Sequence, residues 1–195
     1  MYNISLLGSN YGKHAVVLDK LSTGSLIYSF GVGYDITFDL ELISRVGCDV
    51  YGFDPTPRSI QWYKDTNITE KFKFFEFGIS DKDGSINFSA PQNKSHVSFK
   101  QDATGDYCLP VKCISTILNE LHHEDQNIDL LKLDVEGSEY EVIEDLLVKK
   151  IFPSQMTIEF HNNPNYINWL GNHSELKKTY DMFLCPSNEV FFIKK

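Results

Sequence analysis

The sequence has no apolar run approaching the roughly 20 residues that span a bilayer, and Met1–Asn10 carries neither a basic start nor a long hydrophobic stretch. A signal peptide and a membrane anchor are not expected, and the chain reads as soluble. Basic residues are also scarce. Lys and Arg number 18 against 27 Asp and Glu, a net charge of −9, which argues against a face built to grip nucleic-acid phosphates. A small neutral or cationic substrate is easier to accept, with no nucleic-acid and no membrane partner. Only four cysteines occur, Cys48, Cys108, Cys113 and Cys185, with no Cys-x-x-Cys pair and no histidine at zinc spacing. Buried, reduced thiols and a cytoplasmic location are the expectation. Repeats and linkers are absent as well, so residues 1–195 are expected to form one domain. Its 42% hydrophobic content, with fourteen Phe and ten Tyr, suffices for one substantial core.

What is present centres on Leu26–Ile36. An apolar, aromatic and β-branched run stops at Gly31-Val32-Gly33 and continues into Asp35, Ile36, Leu40 and Ile43 at helical spacing, the pattern of strand, tight turn and helix. Glycines at 31 and 33 permit positive φ and let a ligand approach the backbone amides. The next strand, Val50–Phe53, runs into Asp54 about 20 residues beyond the glycines, where a carboxylate can accept both hydroxyls of a ribose. An adenosine-type ligand is indicated. The blander reading is an ordinary βα turn capped by Asp35.

Before this unit, residues 1–24 form an N-terminal segment in which Gly8–Gly12 suits a lid. After it, Pro57 suits the first turn of a helix reaching Lys64, and Phe72–Phe77 reads as a third strand that continues into an antiparallel excursion at Ser85–Ser89. Residues 90–106 look like a polar surface loop. Val111–Ile114 is a brief strand, Ser115 is the expected cap of the next helix, and His122 and His123 at its end read as cations favouring a helix C-terminus. Ile128–Leu133, apolar except for Lys132, has the character of a central parallel strand. Ser138 and Glu141 then stand as a capping box. Gln155–Phe160 is the following strand, and a helix at Ser174–Thr179 precedes two strands joined across Pro186-Ser-Asn188.

In doubly wound sheets ligands sit beyond the carboxyl ends of the strands. That rule gathers Gly31–Asp35, Asp54, Gly78–Ser80, Asp134 with Glu136, and Glu159 with His161. The i, i+2 spacing within the last two groups puts each pair on one face.

At these residues the chain resembles the class I S-adenosylmethionine-dependent methyltransferases of the FkbM type. The resemblance covers most of the chain. It rests on Tyr28–Asp35, Val50–Pro57, Phe77–Asp81, Leu131–Glu141 and Ile158–His161, the fourth being the most specific. It implies an α/β, Rossmann-like fold, with a seven-stranded, mostly parallel sheet ordered 3-2-1-4-5-7-6, helices on both faces and the last strand antiparallel. It implies S-adenosyl-L-methionine as cofactor and O-methylation of a hydroxylated small molecule, most often a sugar or glycan. The departures are Ser29, where many class I enzymes carry an acid, and Asp35, where they carry a third glycine.

The cofactor residues expected are Phe30, Gly31, Val32, Gly33, Asp35, Asp54, Ile79, Ser80 and Asp134, with Ile79 and Ser80 as an adenine wall. His161 is the expected general base in its neutral form, with Asp134 as rival base and Glu159 as orienting acid. No metal is expected: Glu136 and Glu159 read as hydrogen-bond anchors, although Asp134, Glu136, Glu159 and His161 together could offer ligands to Mg²⁺ or Mn²⁺. Two other readings stay open, a dinucleotide-dependent oxidoreductase and a non-catalytic module that binds an adenosine ligand.

Overall fold

The computed structural model describes residues 2–91, 98–161 and 165–195. The chain opens with an antiparallel pair, β1 (Ser5–Leu7) and β2 (His14–Val16). Then come β3 (Ile27–Phe30), α1 (Thr37–Val46), β4 (Val50–Phe53), α2 (Pro57–Asp65) and β5 (Phe72–Phe75). An excursion follows, of β6 (Gly78–Ile79), β7 (Gly84–Ser89), β8 (Lys100–Gln101) and β9 (Tyr107–Lys112). The main sheet resumes through α3 (Ile114–Glu120), β10 (Leu130–Leu133), α4 (Glu139–Lys149) and β11 (Gln155–Glu159). The chain ends in α5 (Tyr166–Asn172), α6 (Ser174–Thr179), β12 (Tyr180–Leu184) and β13 (Glu189–Lys194).

Seven strands form the main sheet in the order β12-β13-β11-β10-β3-β4-β5. β13 alone runs against its neighbours. Strand order reverses between β3 and β10, so their carboxyl ends splay apart and leave a crevice there. The central strands are buried on both faces: every residue of β3 and β10 is buried, Lys132 included. One layer of core packs Tyr28, Phe30, Phe53 and Ile158 against α3 and α4, and the other packs Ile27, Val50 and Phe72 against α1.

Several local expectations give way to better hydrogen bonding. α1 starts at Thr37 rather than at Asp35, because the Asp35 carboxylate accepts from the Thr37 amide at 2.9 Å just ahead of the helix. The third strand breaks after Phe75, and Gly78–Ile79 joins the second sheet, parallel to Val111–Lys112. Ser115 is inside α3, which begins one residue earlier. Asp83, from the turn before β7, accepts from the Cys113 amide and the Thr116 hydroxyl there. Ser138 does precede α4, but no capping box forms: its hydroxyl donates to Gln101 at 2.9 Å instead. His123 is not an exposed cation. It is buried with Nδ1 2.8 Å from the Tyr28 hydroxyl, and burial together with Lys73 pushes its pKa down. Part of the expected surface loop, residues 92–97, lies outside the described residues. Beyond it Phe99 is buried and Lys100–Gln101 pair with β7. Among the cysteines Cys108 is exposed, while Cys48 and Cys113 are buried.

The N-terminal hairpin docks on the sheet through side chains that substitute for a neighbouring strand. Glu189, 2% exposed, accepts from the Ala15 amide at 2.8 Å and the Thr157 hydroxyl at 2.7 Å, and pairs with His14 at 3.2 Å. Gln155 closes a two-bond amide ring with the backbone of Val17. Removing one member of such a buried set leaves the others without partners. Glu189→Ala is expected to lower unfolding stability in urea by at least about 3 kcal/mol, and the Ala15 amide to lose hydrogen-exchange protection ahead of the central strands.

Candidate active site

A cavity of about 310 Å³ opens at the crevice between β3 and β10. One wall is the turn after β3. Gly31 sits there at φ +80°, and a Cβ at this position would lie 1.6 Å from the Asp134 carbonyl oxygen, so any side chain would force the two strand ends apart. Its amide donates to the Phe53 carbonyl at 3.0 Å, and the Asp134 amide returns to Phe30 at 3.2 Å. The turn is thereby clamped from both neighbouring strands. Phe30, Gly31, Val32, Gly33 and Asp35, all expected at the site, line the cavity.

Asp54, 4% exposed, holds the far side of this turn. Oδ2 accepts from the Gly33 amide at 2.9 Å, and Oδ1 from the amide and hydroxyl of Thr56 at 2.8 and 2.6 Å. Burial pushes its carboxyl up against those hydrogen bonds. It still lines the cavity, and Oδ2, which accepts one bond, keeps a second lone pair. Ile79 also lines the cavity. Ser80, next in the chain, is not among the lining residues; its amide donates to the Lys112 carbonyl and its hydroxyl to Asp81. Phe88, Phe99 and Val111 of the second sheet supply the apolar surface beside Ile79.

Asp35 has a further duty. The Ser9 hydroxyl donates to its Oδ2 at 2.6 Å and Thr37 to its Oδ1, and although burial opposes them, these bonds hold the carboxyl below its ordinary range. The bond to Ser9 latches the β1–β2 loop, whose Asn10, Tyr11 and Gly12 line the cavity mouth.

The opposite wall carries the acids. Asp134 and Glu136 follow β10, Glu159 ends β11, and His161 lies two residues on; all four line the cavity. Glu136 adopts φ +56°, reversing the chain ahead of α4. His161 Nδ1 is 2.8 Å from Glu139 Oε1, and its Nε2 is 3.8 Å from Asp134, 3.8 Å from Glu159 and 3.9 Å from Glu136. Burial would lower the imidazole pKa, but the bond to Glu139 and the charges of Glu139, Glu136 and Asp134 outweigh it and raise it to about 9. The surrounding acids thus favour the protonated imidazole, whereas the expected general base is its neutral form. Glu159 moves the other way for a carboxylate: burial and then Asp134 raise it to about 7, with His161 and Lys132 opposing. Among the described residues neither the Glu136 nor the Glu159 carboxylate accepts a hydrogen bond, and His161 Nε2 stands beyond bonding distance of both.

Lys132 and Glu139 escaped the sequence reading. Lys132 is 4% exposed, and its ammonium donates to the Gly31 carbonyl at 3.1 Å, touches Phe30 at 3.4 Å and faces Asp134 at 3.8 Å. The signal was available, because a lone charge inside an otherwise apolar central strand must find a partner. Glu139 had no such signal, standing among acids in the first turn of a helix where they are common.

The family model described as "Methyltransferase FkbM domain" matches residues 28–188. The chain is 26% identical over 147 residues to probable methyltransferase-like protein 24 of Rattus norvegicus and of Homo sapiens, covering 74% of this chain. It spans only about a third of those curated relatives, 34% and 33% of their lengths. Among solved structures, an rRNA methylase from Streptococcus thermophilus superposes with a TM-score of 0.45 at 12% identity, covering 91% of this chain and 90% of that one. With 28–188 matched, a span holding both walls of the cavity, the chain belongs to the FkbM methyltransferase domain family.

Proposed function

We propose that the protein binds S-adenosyl-L-methionine and transfers its methyl group to a hydroxyl of a sugar or glycan. One observation carries the reading: a single cavity joins the glycine turn and Asp54 on one wall to Asp134, Glu159 and His161 on the other. The first wall suits the cofactor. Amides of the turn meet the methionine end, the spare lone pair of Asp54 Oδ2 accepts a ribose hydroxyl, and Ile79 with Phe88 and Val111 covers the adenine.

The second wall suits a hydroxyl acceptor. Carboxylates without hydrogen-bond partners are strong acceptors for sugar hydroxyls, and the exposed ring faces of Tyr11 and of Tyr34, stacked on Trp62 at 6.0 Å, lie at the mouth where the apolar face of a sugar ring can rest. In the transfer, the acceptor oxygen attacks the methyl carbon in line with the sulfur. The C–S bond breaks as the C–O bond forms, S-adenosylhomocysteine leaves neutral at sulfur, and the hydroxyl proton passes to a carboxylate. Asp134 and Glu159 are the groups placed to receive it, while His161, whose protonated form the acids favour, orients them.

Asp54→Ala is expected to weaken S-adenosylhomocysteine binding by about 1 to 3 kcal/mol in calorimetry; unchanged affinity would remove the ribose role. Glu159→Gln is expected to keep that affinity and to lose turnover by about 10²- to 10⁴-fold. Turnover is read with labelled S-adenosylmethionine against a panel of free sugars, nucleotide sugars and glycans. If none of the panel is labelled while NADH binds more tightly than S-adenosylmethionine, an oxidoreductase replaces this reading.

A further inference from the structure

We propose that Asp39, on α1, is a positioning residue for the glycine turn: it supplies the buried countercharge that keeps the Lys132 ammonium on the Gly31 carbonyl. The proposal deepens the cofactor side of the reading above and rests on it for the ligand, though not for the contact.

Register and burial bring the groups together. Ile27 and Leu130 pack in the core layer against α1, and the two-residue repeat of a strand turns Ser29 and Lys132 to that same face, where they are register partners across β3 and β10. Asp39 follows Phe38 into this layer. It is 1% exposed, with Ser29 at 0% and Lys132 at 4%. Four buried groups on this face can carry charge, His14, Asp39, Lys132 and Glu189. His14 and Glu189 pair directly at 3.2 Å, which leaves Asp39 and Lys132 to balance each other.

Electrostatics and hydrogen bonding agree with that pairing. Burial pushes the Asp39 carboxyl up, and among the influences that pull it back the Lys132 charge is the largest, ahead of the Ser29 hydroxyl and His14. Asp39 Oδ1 and Ser29 Oγ find no hydrogen-bond partner among the described residues, a pair of unsatisfied atoms that a packing role alone would not retain. Asp134 cannot replace Asp39. It stands 3.8 Å from the ammonium, its side chain is 30% exposed, and it also faces His161. A buried lysine needs a countercharge that water does not screen.

The consequence reaches the cavity. Lys132 donates to the Gly31 carbonyl and touches that of Phe30, while the Gly31 amide bonds Phe53 and the Asp134 amide bonds Phe30 in the same clamp. Without the Asp39 charge the ammonium is drawn toward Asp134, and the turn that offers its amides to the ligand loses an anchor.

The test follows amide exchange by NMR at Gly31 and Asp134, with S-adenosylhomocysteine affinity measured in parallel by calorimetry. Asp39→Asn keeps the shape of the side chain and removes its charge. It is expected to speed exchange at both amides by at least about tenfold, to leave the Val190 and Phe192 amides of β13 unchanged, and to weaken S-adenosylhomocysteine binding by a similar factor. Swapping the two side chains, Ser29→Asp with Asp39→Ser, places the carboxylate on the register partner of Lys132 and is expected to bring both readouts within about threefold of the parent. Parental exchange or parental affinity in Asp39→Asn overturns the proposal, as does equal acceleration throughout the sheet. So does a swapped pair that fails to fold or leaves either readout unrestored. If Asp39→Asn does not fold, the swapped pair decides by the same readouts. If the parent chain ignores S-adenosylhomocysteine, the cofactor reading falls, and exchange alone decides the role of Asp39.

Discussion

Gly31 and the Asp134 carbonyl approach so closely that no Cβ fits between them, and the rest of the site follows from that contact. It brings the turn after the first core strand under the end of the fourth, at the point where strand order reverses. Lys132 completes the closure from below by binding the Gly31 carbonyl and facing Asp134. A single lysine thus ties the glycine turn to the acidic wall, and the two halves of the cavity keep a fixed separation. Asp54 does the same on the other flank through Gly33 and Thr56.

The acidic wall is shaped by what its charges lack. Four carboxylates crowd one imidazole, and a single strong bond, Glu139 to Nδ1, is formed among them. The consequences for proton affinity run against the chemistry one would first write down: the acids raise the histidine, favouring its cation, and burial with Asp134 raises Glu159 toward neutrality. Nothing in residue type alone predicts this inversion. It depends on how many acids the topology delivers to one spot, and β10, β11 and the start of α4 deliver all of them.

Much of the scaffold could be read without coordinates. The strand Val50–Phe53 and the helix Ser174–Thr179 were legible to the residue, and the helix at Pro57 to within one, because proline and apolar periodicity fix them locally. The glycine turn, Asp54, and the two i, i+2 pairs, Asp134 with Glu136 and Glu159 with His161, were legible because strand ends face the ligand in this class of sheet. The misreadings share a cause. Ser138 and Ser115 each matched a capping pattern, yet distant partners, Gln101 and Asp83, decide what is bonded there, while Asp35 does hold the first amide of α1 and adds a distant bond to Ser9. Phe99 reaches the cavity through tertiary placement that a polar segment does not announce, and α5 follows a run of Asn and Pro that reads as loop.

The cavity draws its lining from Asn10 to Ser187, nearly the full length of the chain. No fragment can assemble it, so a ligand held there binds the native state and has no counterpart in the unfolded chain. Occupancy and folding then become one linked equilibrium: a ligand at a hundred times its dissociation constant adds about 2.7 kcal/mol to the stability of the whole molecule. The protein's resistance to heat and proteolysis will accordingly rise and fall with the supply of whatever fills the crevice.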